Sequence, residues 1–106
     1  MTALLIAVAW QTAPASFYDT GRLTADGTRM SVRGKWVATY LAPLGSVLEV
    51  CGGGGCHELV VRDRTAKRFG HRLDIPRETW RAVTRASLKR GVVPVKWRIV
   101  RRGCKK

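Results

Sequence analysis

Acidic residues are scarce in this chain. Seven Asp and Glu stand against twenty Lys and Arg, which gives a formal charge of +13 at pH 7 over 106 residues. An excess of one sign on this scale draws in polyanions over a Debye length of about 10 Å in moderate salt, so DNA, acidic wall polymers and anionic lipid are the candidate partners. Long apolar runs are also missing. No stretch reaches the roughly 18 residues that a transmembrane helix needs, which excludes an ordinary spanning segment. There is no internal repeat, and no low-complexity run beyond the four glycines Gly52 to Gly55. No helix-turn-helix, zinc finger or ribonucleoprotein motif accompanies the charge, so a nucleic-acid-binding module ranks third among the functional readings.

What is present is ordinary for a folded domain. Apolar residues make up 45% and charged residues 25% of the chain, which argues against a disordered polyelectrolyte, and the length suits one modest core. Sixteen of the twenty Lys and Arg are spread over Arg62 to Lys106, with denser groups at 62–72, 77–90 and 96–106. The folded body itself is therefore positive, and residues 102–106 add only a short basic tail.

Three cysteines are an odd number. Cys51 and Cys56 enclose Gly52 to Gly55, and the flanks Ser46 to Val50 and His57 to Val61 read as strands. A hairpin with a four-glycine tip sets the two cysteines opposite one another at a Cα separation of about 4.5 to 5.5 Å, within disulfide reach. A disulfide and an oxidising location follow, extracytoplasmic or in a virion. The rival is a metal knuckle of Cys51, Cys56, His57 and Cys104, whose spacing lies at the edge of zinc patterns; no metal and no cofactor is expected. The same register sets Glu49 opposite Glu58, so Arg62 or Arg64 must neutralise them or a bulge must shift the pairing.

Glycine and proline punctuate short strands elsewhere. Residues 1–15 are an apolar segment with two readings. Ala3 to Trp10 is the core of a short signal peptide cut ahead of Ser16, or Leu4 to Trp10 is a first strand. Ser16 to Asp19 is a short strand, Thr20 to Arg29 is turn-rich, Lys35 to Leu41 alternates weakly, and Arg62 to Gly70 is a charged loop before the brief apolar Arg72 to Ile75. Pro76 and Glu78 mark the start of a helix with Trp80 and Val83 on one face. Val93 to Val100 alternates as a last strand, with Val95, Trp97 and Ile99 on one side. Many short strands and one helix indicate an all-β fold, a small β-barrel with one short helix, over residues 16–101.

The order of the pieces resembles the rare lipoprotein A family. Ala15-Ser16-Phe17-Tyr18, Thr24-Ala25-Asp26-Gly27, Val37-Ala38 leading to Pro43-Leu44-Gly45-Ser46, Val60 to Arg64, and Gly70 to Ile75 follow that family's motifs in sequence over roughly residues 15–100. The resemblance implies a six-stranded double-psi β-barrel and, in active members, a lytic transglycosylase that cuts peptidoglycan. It places Asp63 and Asp74 on the family's two aspartates. In such a lyase one carboxyl donates a proton to the glycosidic oxygen and then takes one from the sugar's own hydroxyl. A structural alternative makes Asp74 the N-terminal cap of the helix. The stretch Gly70 to Pro76 is also similar to expansins and small inverting endoglucanases, where Phe17-Tyr18-Asp19 supplies the second acid, Asp19.

Two departures bear on catalysis. Thr39 stands where the family has histidine, and Arg64-Thr65-Ala66 replaces its Arg-Gly-Pro. Threonine neither donates nor accepts a proton near neutral pH. The substrate-binding candidates are Tyr18, Thr39, Tyr40, Arg62, Arg64 and His71, with Trp36 as a further stacking ring, whereas Trp80 and Trp97 sit at core spacing. The chain is thus expected to cleave or bind peptidoglycan or another anionic wall glycan. The alternative is a non-catalytic structural or wall-binding component, such as part of a phage tail.

Overall fold

Alternation decides most of the strands. In the computed structural model, which describes residues 9–18 and 33–103, β1 (Gln11–Tyr18), β2 (Trp36–Ala38), β3 (Val47–Gly52), β4 (Gly55–Asp63), β5 (Leu73–Pro76) and β6 (Val93–Arg101) close into a barrel in the order β1-β5-β2-β4-β3-β6. Leu48 and Val50, Leu59 and Val61, Leu73 and Ile75, and Val95 and Trp97 recur at every second position and are all buried. A period of two puts each pair on the interior face of its strand. β1 runs parallel to β5 and β2 parallel to β4; the other pairings are antiparallel. The architecture is the six-stranded double-psi β-barrel with one helix that the sequence resemblance implied.

The one α-helix among the described residues, α1 (Arg77–Thr84), covers one side of the barrel. It buries Trp80 and Val83 completely, and the Trp80 indole N–H donates to the Ala15 carbonyl at 2.9 Å while its ring lies 5.0 Å from that of Phe17. Complete burial of so large a side chain stabilises the fold by about 3 kcal/mol. Thr79 adds a second tie, its hydroxyl donating to the Gly34 carbonyl at 2.6 Å.

The structure corrects several sequence expectations. Asp74 is not the helix cap. The N-terminal residue position is held by Pro76, without a side-chain hydrogen bond, and Asp74 lies inside β5, where it accepts from the Ser16 hydroxyl at 3.3 Å. The first described strand begins at Gln11, so Gln11 to Ala15, paired with Trp97 to Val93, belong to the barrel; a cut ahead of Ser16 would remove more than half of β1. Residues 1–8, and the turn-rich segment with Asp19, lie outside the described residues. β2 is only three residues long where Lys35 to Leu41 was expected, because the chain bends after Ala38.

The cysteine hairpin forms with the expected register: Cys51 pairs with Cys56, Glu49 with Glu58, and the disulfide is closed across a Cα separation of 4.0 Å. With both sulfurs bonded to each other, the metal knuckle is excluded. The tip is tighter than four residues, since Gly52 and Gly55 also pair and leave Gly53-Gly54 as the turn. These glycines serve a close approach. Gly54 N–H donates to the Val83 carbonyl at 2.8 Å, and a Cβ on Gly54 would stand 1.8 Å from the Ala82 carbonyl oxygen. The hairpin tip is thereby seated on the end of α1. The carboxylate opposition at Glu49 is relieved from β6: Arg98, the register partner of Glu49, reaches its Oε1 at 2.7 Å.

Candidate functional site

The two parallel pairings decide which residues meet. Ser16 is the register partner of Asp74 across β1 and β5, Asp74 that of Ala38 on β2, and Ala38 that of Asp63 on β4. Ser16, Asp74, Ala38 and Asp63 thus lie in one line across four adjacent strands. Two strand spacings put the Cα atoms of Asp74 and Asp63 about 10 Å apart. Asp74 falls between the inward Leu73 and Ile75 and is half-buried, facing outward. Asp63 ends β4 beyond a register shift at Val37/Ala38, and its carbonyl accepts from the Thr39 N–H at 3.1 Å.

The bend after β2 forms the edge of the site. Thr39 is fully buried and its hydroxyl accepts from the Leu41 N–H at 3.1 Å, so it shapes the bend from within. Its neighbour Tyr40 is turned out, 45% exposed. Arg64 holds the bend from the other side: one guanidinium nitrogen donates to the carbonyls of Thr39 at 2.8 Å and Ala42 at 2.7 Å. The same guanidinium lies 5.2 Å from the Tyr40 ring centroid. Tyr40, Leu41, Pro43, Arg64 and Arg102 line an open cleft of about 580 Å³ here.

Of the remaining sequence candidates, Arg62 stacks over Trp36 at 5.1 Å on the β2 and β4 surface. Tyr18 is half-buried at the end of β1 opposite Pro76. His71 is exposed in the turn before β5. His57, the other histidine, is engaged with Lys35 Nζ at 3.3 Å. Asp19 lies outside the described residues. The pairings thus set Asp63 and Asp74 on the strands either side of β2, and the bend that follows β2 presents Tyr40, with Arg64 and Thr39 as its supports.

Sequence reasoning missed two features. Ser16 emerges as the hydrogen-bond partner of Asp74, a contact between residues 58 apart that only the parallel β1/β5 pairing creates. Phe69, on a short 3-10 turn (Lys67–Phe69), is flanked by two guanidiniums, Arg68 at 4.8 Å and Arg72 at 4.4 Å from its centroid. The Arg68-Phe69-x-x-Arg72 spacing was the available signal for the second.

No family model matches the sequence, and no curated protein matches it. Solved structures do. An apo expansin of Clavibacter michiganensis superposes with a TM-score of 0.67 at 22% identity, over 91% of this chain and 52% of the expansin. A mutant Clavibacter michiganensis expansin in complex with cellohexaose gives 0.65 at 20% identity, over 92% and 54%. A Streptomyces papain inhibitor gives 0.70 at 23% identity, over 91% of this chain and 99% of the inhibitor. The chain thus spans about half the length of the expansins and nearly all of the inhibitor, and what it shares with them is the fold, a closed double-psi β-barrel.

Proposed function

We propose that the chain is a glycan-binding double-psi barrel of the cell envelope or its surroundings, directed at peptidoglycan strands. The observation that carries this reading is the line Ser16, Asp74, Ala38 and Asp63 running across four strands, with the exposed Tyr40 on the bend that follows β2. Carboxylates accept from sugar hydroxyls while an aromatic face receives the apolar side of a pyranose ring. The expansin complex with cellohexaose supports a glycan as ligand of such a barrel. The motif order resembling rare lipoprotein A supports a peptidoglycan strand in particular, and the Cys51–Cys56 disulfide supports an oxidising location.

Cleavage is the stronger form of the same reading. Asp63 or Asp74 would serve as the single acid, giving its proton to the glycosidic oxygen and recovering one from the sugar hydroxyl. The burial of Thr39 leaves no ionisable partner at the position where the family has histidine, which favours binding over turnover. The test is incubation of the pure protein with intact and denuded peptidoglycan, with retention measured by sedimentation and products identified by mass. Retention without products establishes a binding module. Products that vanish in Asp63→Asn or Asp74→Asn establish the enzyme, and absence of both retention and products refutes the proposal.

One observation favours a second reading. The papain inhibitor is matched over 99% of its length, as a free-standing barrel of the same size, so inhibition of a cysteine protease is the alternative. Titration of papain decides it: stoichiometric loss of activity supports inhibition, and full activity at a large excess of the chain rules it out.

A further inference from the structure

Three arginines among the described residues pair with a carboxylate in the barrel and helix. Arg98 bonds Glu49, and Arg77 and Arg81 both reach Glu78. Arg68 and Arg72 differ. Each is stacked on Phe69, at 4.8 and 4.4 Å from the ring centroid, and among the described residues neither guanidinium has a carboxylate or carbonyl partner. Sharing one ring holds the two like charges within about 9 Å of each other. Their mutual repulsion is left standing, and an anion placed against both would relieve it.

The turn that carries them is fixed. Phe69 N–H donates to the Ala66 carbonyl at 2.8 Å, Gly70 N–H to that of Lys67 at 3.0 Å, and Arg72 N–H to that of Phe69 at 2.9 Å. It is also joined to the candidate site. Tyr40 N–H donates to the Gly70 carbonyl at 3.4 Å, and Gly70 packs so closely on Tyr40 that a Cβ there would lie 3.2 Å from the tyrosine side chain. A ligand lying on Tyr40 therefore continues onto the Arg68–Phe69–Arg72 turn.

From this we infer that the turn is an oxyanion subsite, which selects glycans carrying carboxylate or phosphate groups over neutral ones. The inference rests on the proposed glycan-binding reading and adds the substrate class. Arginine forks recognise both oxyanions through paired N–H donors, and stacking on Phe69 fixes those forks before the ligand arrives. Arg64 differs from the pair in that one of its guanidinium nitrogens is already committed to the Thr39 and Ala42 carbonyls.

Calorimetric titration of the full chain tests it with four probes: neutral cellohexaose, a polygalacturonate oligomer for carboxylate, poly(glycerol phosphate) for phosphodiester, and a short DNA duplex. The two acidic probes separate the sources of the oxyanion. Wild type is expected to bind at least one acidic polymer roughly tenfold more tightly than the neutral oligomer, with the gain shrinking as salt rises. The double variant Arg68→Gln/Arg72→Gln should lose that gain and leave cellohexaose binding unchanged. Arg68→Lys/Arg72→Lys keeps the net charge but not the stacked fork, and should lose most of the gain as well; thermal melts of both variants check the fold.

Equal binding of acidic and neutral probes by wild type overturns the inference. So does a lysine variant that binds acidic glycan like wild type, which would leave net charge as the whole cause. DNA bound more tightly than either acidic glycan, in an Arg68- and Arg72-dependent way, overturns the glycan assignment. If no carbohydrate probe binds at all, the glycan-binding reading itself fails, an outcome distinct from neutral binding without an acidic preference.

Discussion

Gly54 and Gly55 sit side by side at the hairpin tip, yet alanine should act on them through different physics. A Cβ on Gly54 would stand 1.8 Å from the Ala82 carbonyl oxygen and 2.9 Å from its carbon, both rigid helix backbone. Ordinary contact lies near 3.4 Å, so the tip must retreat from α1 by more than an ångström. That movement takes the Gly54 N–H out of reach of the Val83 carbonyl, now accepted at 2.8 Å. The lost bond costs about 1 kcal/mol and the forced displacement another 1–3 kcal/mol, for a total of about 2–4 kcal/mol. Gly55 has nothing within 4 Å of its Cβ position but a φ of +93°, so Gly55→Ala incurs only a torsional cost of about 1–2 kcal/mol. Urea unfolding followed by tryptophan fluorescence and far-ultraviolet circular dichroism measures both. At about 4–8 °C per kcal/mol for a domain of this size, Gly54→Ala should also melt at least 8 °C below wild type. A Gly54→Ala midpoint equal to or above that of Gly55→Ala would refute the seating of the tip on the helix.

Two further outcomes follow from the same hairpin. The Cys51–Cys56 bond closes a loop of sequence separation 5, so the double Cys→Ser variant should lose only about 2 kcal/mol, and thiol labelling of the denatured, unreduced protein should mark Cys104 alone; label on Cys51 or Cys56 would contradict it. Arg98→Gln should destabilise by about 0.5–1 kcal/mol, since the pair is partly solvent-screened, and Glu58→Gln in that background should recover part of the loss by removing the unrelieved opposition to Glu49; additive losses in the double-mutant cycle would show that the three charges do not interact.

Local signals carried much of the fold and little of the site. The hairpin, α1 and β6 were legible because each announces itself within a dozen residues: two cysteines around glycine, proline and glutamate at a helix start, and strict alternation through Val95 and Trp97. β1 was obscured by Pro14, which reads as a strand breaker. The barrel accommodates it by placing Pro14 opposite Pro94. Neither can donate a backbone hydrogen bond, so the pair occupies a non-hydrogen-bonded position of the antiparallel ladder, where no donor is needed. Only the facing strand, some eighty residues away, makes sense of either proline.

The same limit applies to the carboxylates. Asp63 and Asp74 were singled out by motif order, but their relation to each other passes through Ala38, which pairs with both and has no chemistry of its own. Because β2 is so short, its register carries no hydrophobic signature; it follows from the pairings with β4 and β5, and Arg64 ties down the bend after it. Arg64 was read as a ligand contact from its position beside Asp63, and the structure gives it a prior task in holding Thr39 to Ala42. The exposed presentation of Tyr40 depends on that clamp. A side chain that shapes the loop of a site and one that touches its ligand are both basic, both near the aspartate, and identical in a sequence; the carbonyls they face distinguish them. By that criterion Arg64 and Arg98 are arginines that build the barrel, whereas Arg68 and Arg72, stacked on Phe69, are the pair we assign to a ligand.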